Sequence, residues 1–310
     1  MLSVSNPSLL KTFFPKPVFR KTGFLKTSAL VYAQGVTLFL LAAWLYAPLA
    51  LGLASHWWHD PNYTHGFFVP AFSLFLLWER RTKLAALRRQ PAWSGLVILL
   101  LALLALVLST INSGFFLYRI SCLLFITGLV VFMAGWKHLA AISFPLAFLI
   151  LMIPSSTLLG QITLPLQIVA SKTASFLLML VGIPAVREGN IILLPTAQLE
   201  VAEACSGIRS LFSLITLTVI YGYLAEAKIS VRVLLVLIAV PISVLANALR
   251  IAITGVVVEY WGIEGVQGTL HLLSGWLIFA GSLALVFLLH RLSQALFLSK
   301  HKAGVREEYA

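Results

Sequence analysis

Three side chains with acyl-transfer chemistry stand where apolar stretches begin or are interrupted. They are Cys205 in "EACSGIRSL", Arg250 in "NALRIAITG" and His271 in "HLLSGW". A thiolate attacks a carbonyl, an imidazole hands a proton to the leaving amine, and a fixed guanidinium stabilises the developing oxyanion. Each also has a bland alternative.

"CSGIRSL" reads as a helix start with Ser206 as N-cap. The helix dipole and Arg209, one turn on, would favour thiolate at Cys205. The plain alternative is a small buried cysteine at a tight bend. Arg250 lies well inside an apolar run, 17 residues beyond Val233 and so roughly 26 Å along a helix. An arginine inside a span points to function, against snorkelling or an ion pair with Glu203 or Glu259. Asn247, Arg250 and Thr254 share one helix face. His271 opens the last apolar run, with Ser274 and Gly275 on its face; an interfacial polar residue is the ordinary alternative. Glu203, two residues before Cys205, either orients Arg209 or Arg250 or is solvated.

The elements that must position these groups are membrane spans. The chain has 310 residues, 60% hydrophobic and only 10% charged, against about 25% charged in soluble domains. Nine apolar candidates run Val31–Leu53, Gly66–Trp78, Gly95–Ile111, Leu117–Ala134, Leu139–Ile153, Ile162–Gly182, Leu211–Leu224, Val233–Val258 and Leu272–His290. The +12 net charge is spread over short segments beside the spans, so a nucleic-acid partner is excluded in favour of cytoplasmic loops. Those are the N-tail, "ERRTKLAALRRQ", "AEAKISVR" and the C-tail. Both termini are then inside, and nine crossings cannot satisfy that. Ile162–Gly182, with Thr163, Gln167, Ser171, Lys172 and Ser175, is read as an amphipathic or re-entrant helix on the outer face.

The expected fold is therefore an all-α polytopic membrane protein of about eight transmembrane helices. It has that outer-face helix and a small extracytoplasmic hairpin at Gly189-Asn190. Residues 1–30 form a basic cytoplasmic tail, 31–290 a single transmembrane domain and 291–310 a second basic tail. Cys205, Arg250 and His271 then share the outer boundary.

Two cysteines give no disulfide framework; a single Cys122–Cys205 bridge stays open, and Cys122 reads as a small core residue. The loop "SHWWHDPNYTHGFF" holds His56, His59, Asp60 and His65. Interfacial aromatics explain it better than a metal, and no cofactor is expected.

The blocks "EACSGIRSL", "NALRIAITG" and "HLLSGW", in that order, resemble the signatures of the exosortase/archaeosortase family. "NYTHGFFVPAFSLFLLWERR" and "GIPAVREGNIILLP" are similar to further family segments, so the likeness runs from about Trp57 to Trp276. It implies a membrane cysteine protease/transpeptidase with Cys205 as nucleophile, Arg250 as transition-state arginine and His271 as acid/base. His65 would line the substrate entrance. The implied partners are exported proteins ending in a Pro-Glu-Pro-like motif, a membrane helix and a basic tail (PEP-CTERM signals), met at the outer face of a bacterial inner membrane. A transporter or envelope-assembly scaffold handling a lipid or polysaccharide intermediate is the rival reading.

Overall fold

The computed structural model describes residues 22–111, 115–154, 156–201, 207–262 and 269–308, with side-chain surroundings within 40–111, 116–154, 159–201, 207–262 and 273–295. The chain is an all-α polytopic membrane protein. Its elements are α1 (Thr22–His59), a 3-10 turn (Pro61–Phe67), α2 (Phe68–Glu79), α3 (Arg81–Ala86), α4 (Ser94–Ile111) and α5 (Phe115–Met133). They continue with α6 (Trp136–Phe148), a 3-10 turn (Leu149–Met152), α7 (Ser156–Leu180), strands β1 (Val186–Glu188), β2 (Ile191–Leu193) and β3 (Gln198–Glu200), α8 (Ile208–Ala225), α9 (Ile229–Trp261) and α10 (Thr269–Glu308). Contacts divide the chain into Met1–Leu51 and Gly52–Ala310; the packing below lies within the second unit.

Among the described residues, seven helices are long and apolar enough to cross a membrane: α1, α4, α5, α7, α8, α9 and α10. Leu100, Leu104, Leu237 and Leu277 stand more than half exposed on them, as hydrocarbon-facing side chains do. The half-buried Cys122 in α5 is a free thiol, so the Cys122–Cys205 bridge is not formed.

Contacts fix the helix directions. His65, just before α2, stacks on Phe212 near the start of α8, and Arg80, just after α2, meets Tyr223 near the end of α8. So α2 runs parallel to α8. α6 runs against both: Arg80 donates to Ala141 O at 2.6 Å and Ser73 to Pro145 O at 3.1 Å, while Phe144 stacks on Tyr223. α9 is antiparallel to α8, with Gly207 against Asn247 and Gly222 beside Arg232. α7 follows α9: Leu166 and Ala170 lie beside Val244 and Asn247, and Leu178 lies against Gly255. α6 and α7 therefore run the same way in succession.

This corrects the reading of 162–182 as an outer-face amphipathic helix. α7 packs along α9, and its polar residues Thr163, Gln167, Ser171 and Ser175 are all buried against protein. Ser171 donates to Ile168 O and to Gly189 O, both at 3.0 Å.

The break between α6 and α7 frees main-chain carbonyls, which need partners away from water. Three side chains from earlier elements supply them. Trp57 Nε1 donates to Met152 O at 3.0 Å, His65 Nε2 to Leu151 O at 3.2 Å, and Arg119 to Pro154 O.

At the other end of the bundle, the carboxylate of Glu226 accepts from His290 Nε2 at 2.8 Å and from Gln294 at 2.6 Å. These bonds hold the α8–α9 turn to α10 and keep the Glu226 carboxyl below the usual range, the His290 bond contributing most.

Candidate active site

The approach to Cys205 is a three-stranded antiparallel sheet in the order β1-β2-β3. Gly189 and Asn190 form the two-residue turn expected, with Gly189 at φ +64° and Glu188 opposite Ile191. The third strand, which the sequence did not signal, pairs Leu199 with Ile192. Ile192 and Val201 pack into an apolar cluster with Ala174 and Leu178 of α7 and Ile251 and Val258 of α9. Val201 N donates to Asn190 O at 2.9 Å, and Thr196 Oγ1 to Glu259 Oε2 at 2.7 Å. Glu203, Cys205 and Ser206 follow at once and lie outside the described residues.

The chain re-enters the described structure at Gly207, which is the N-cap of α8 in place of the expected Ser206, with φ +78° and ψ 3°. A side chain in this left-handed region costs roughly 1–2 kcal/mol. Space forbids one as well: a Cβ here would lie 2.7 Å from Asn247 Cγ and 2.9 Å from Asn247 Cβ. The main chain two residues beyond Cys205 is thus seated directly on the Asn247 side chain, itself buried.

One turn further along α9, Arg250 is half-buried, and its guanidinium lies 3.8 Å from where a Cβ on Gly275 of α10 would stand. His271 stands in the first turn of α10, one turn before Gly275; its side chain lies outside the described residues. The Cys205 block, the Arg250 block and the α10 helix carrying His271 therefore meet through two residues of α9. Arg209 is exposed on the first turn of α8. Glu259, a candidate partner of Arg250, accepts instead from Thr196.

His65 is buried at 6% exposure. Its ring lies 6.1 Å from that of Phe212, with the planes 5° apart. Because Leu151 O only accepts, Nε2 carries the proton toward it, and Nδ1 is buried with no hydrogen-bond partner among the described residues. Burial pushes the imidazole below the usual histidine range, outweighing the nearby carbonyls of Leu151 and Asn62. His65 thus sits as a neutral imidazole beside the first turns of α8. His56 faces Asp60 at 3.5 Å and His59 faces Ser55 O at 2.8 Å. Among the described residues no three metal-ligating side chains come together.

One residue escaped the sequence reading. Ser243 precedes Asn247 by four positions on the same face of α9 and is 3% exposed. That spacing was the available signal.

Residues 57–288 match the family model described as transmembrane exosortase. No curated protein and no solved structure matches the chain.

Proposed function

The chain belongs to the transmembrane exosortase family, and from that premise we propose that it is a membrane cysteine protease/transpeptidase that cleaves C-terminal sorting signals of exported proteins. The observation that carries this reading is the pair of contacts on α9: Asn247 under Gly207 and Arg250 against Gly275. They draw three distant sequence blocks, each with one reactive side chain, to one end of the bundle.

In this reading the substrate's membrane helix docks among the spans, with its scissile bond at the outer boundary of the bacterial inner membrane. The Cys205 thiolate attacks the carbonyl carbon, and Arg250 stabilises the oxyanion. His271 protonates the leaving amine as the C–N bond breaks. The C-terminal helix and basic tail depart, leaving a thioester on Cys205. Attack by an amine or by water then releases the product. Glu203, Arg209, Asn247 and His65 support the site. The substrates carry a Pro-Glu-Pro-like motif, one membrane helix and a basic tail.

Cleavage of such a substrate, tagged at its C-terminus, tests the proposal. Cys205→Ala abolishes cleavage while the protein still accumulates in the membrane. His271→Ala does nearly the same, and the double variant is no worse, because the groups act as a unit. Arg250→Lys keeps the charge but loses the planar fork and cuts processing strongly. Cys122→Ala is close to silent. Normal cleavage by Cys205→Ala sinks the mechanism and brings the transporter or scaffold reading forward.

A further inference from the structure

The end of the bundle opposite the β-sheet carries two guanidiniums that the proposed chemistry does not use. Arg80 follows α2, and Arg232 lies in the first turn of α9. Both converge on Tyr223 of α8, with Cζ 5.5 Å and 4.8 Å from the centre of its ring. Phe144 of α6 covers one face of that ring at 3.9 Å. Arg232 takes the other face, while Arg80 donates to the Tyr223 hydroxyl. Main-chain carbonyls hold both side chains in place: Arg80 Nη1 donates to Ala141 O at 2.6 Å and Arg232 Nε to Glu226 O at 2.7 Å.

What the pair lacks is negative charge. The Glu226 carboxylate is taken by His290 and Gln294. Neither Arg80 nor Arg232 forms an ion pair among the described residues, where both carboxylate contacts are made by histidines. Both terminal nitrogens of Arg232 are without a hydrogen-bond partner among those residues. Like charges gathered at one ring repel, and half-burial strips each of part of its hydration. An anion seated between them offsets both costs, and phosphate oxygens suit the planar fork. The flanking side chains say which phosphate. Trp78, Leu224, Ile229 and Val233, close to these residues in the chain, are each at least half exposed. A free phosphate ion brings nothing to cover them; a phospholipid brings acyl chains.

We propose that Arg80 and Arg232 form a binding site for the phosphodiester of an anionic phospholipid. Its headgroup lies against the Arg80–Tyr223–Arg232 cluster and its acyl chains cover the exposed apolar side chains beside it. The site does not depend on Cys205 being the nucleophile.

The test uses purified full-length protein in nanodiscs of phosphatidylcholine with rising fractions of phosphatidylglycerol, read as the thermal unfolding midpoint. A lipid that binds the folded state raises that midpoint. Arg80→Gln and Arg232→Gln each increase the half-saturating fraction of phosphatidylglycerol about tenfold, the scale of one hydrogen-bonded charge. Arg81→Gln removes an exposed guanidinium stacked on Trp78 instead and leaves that fraction within about twofold. A purely structural pair would lower the midpoint of both variants without moving the half-saturating fraction, and that result overturns the site. So does an equal shift in Arg81→Gln, the mark of general surface charge. Inorganic phosphate added to pure phosphatidylcholine discs leaves the midpoint unchanged; a rise matching that of phosphatidylglycerol at equal ionic strength overturns the lipid in favour of a free anion. Native mass spectrometry of the unsubstituted protein gives a reading that needs no variant. Phosphatidylglycerol is retained over phosphatidylcholine at equal supply, and retention without preference overturns the proposal.

Discussion

Gly275 of α10 lies against Arg250 of α9 so closely that a Cβ on the glycine would come 3.8 Å from both Cζ and Nη1. That spacing is ordinary van der Waals contact, so a methyl group fits between the two helices without displacing the guanidinium.

A graded substitution series follows from that gap. Gly275→Ala should process substrate at close to the full rate, because its methyl group fits. Gly275→Leu should displace the guanidinium and lower cleavage about a hundredfold, the scale seen when one oxyanion donor is removed. Membrane accumulation of both variants is measured alongside. Equal activity of the two would detach Arg250 from the chemistry.

His65 sets an acid limit on the fold. Burial holds its imidazole below the usual histidine range, so the folded protein resists protonation there and the unfolded chain does not. Stability from this group is fully present above the ordinary value of about 6.5. It falls as pH drops from that value toward the lowered folded one. Unfolding midpoints of the purified protein at pH 7.5, 6.5 and 5.5 should therefore decline. His65→Gln, which keeps a donor for Leu151, should flatten the decline. An undiminished slope in His65→Gln would assign the acid sensitivity elsewhere.

The helix directions put the β-sheet and the Arg80–Tyr223 cluster at opposite ends of the bundle. Single cysteines introduced at Asn190 and Arg88 should accordingly react with a membrane-impermeant thiol reagent from opposite sides, Asn190 from outside. Labelling of Asn190 from the cytoplasm would remove the proposed site from the face where exported substrates arrive.

The sequence and the structure agree where a local rule decides. Spans such as Gly95–Ile111, which is α4 but for one residue, were legible because hydrocarbon demands long apolar runs. The Gly189-Asn190 turn was legible because its two-residue geometry demands such residues. α7 was misread because a polar stripe in an apolar helix has two destinations, water or a protein partner. The stripe Thr163, Gln167, Ser171 and Ser175 faces protein, and no single sequence distinguishes these cases. The N-cap was misplaced by one residue, since Ser206 has the better capping side chain. Gly207 takes the position because Asn247 leaves no space for a Cβ. The types of the candidate site residues were readable; that Asn247 and Arg250 reach two different helices was not, because helix–helix contact lies outside any local pattern.

The capped break between α6 and α7 also has an order in time. Its carbonyls at Leu151, Met152 and Pro154 are satisfied by His65, Trp57 and Arg119, and every cap precedes every carbonyl along the chain. A protein made from its N-terminus has these three donors in hand before the break leaves the ribosome. The interrupted segment can therefore enter lipid with these carbonyls already provided for. An N-terminal fragment ending near Leu180 should insert as a protease-resistant intermediate, whereas a C-terminal fragment starting at Trp136 would meet the bilayer with its carbonyls unanswered and stall at the translocon.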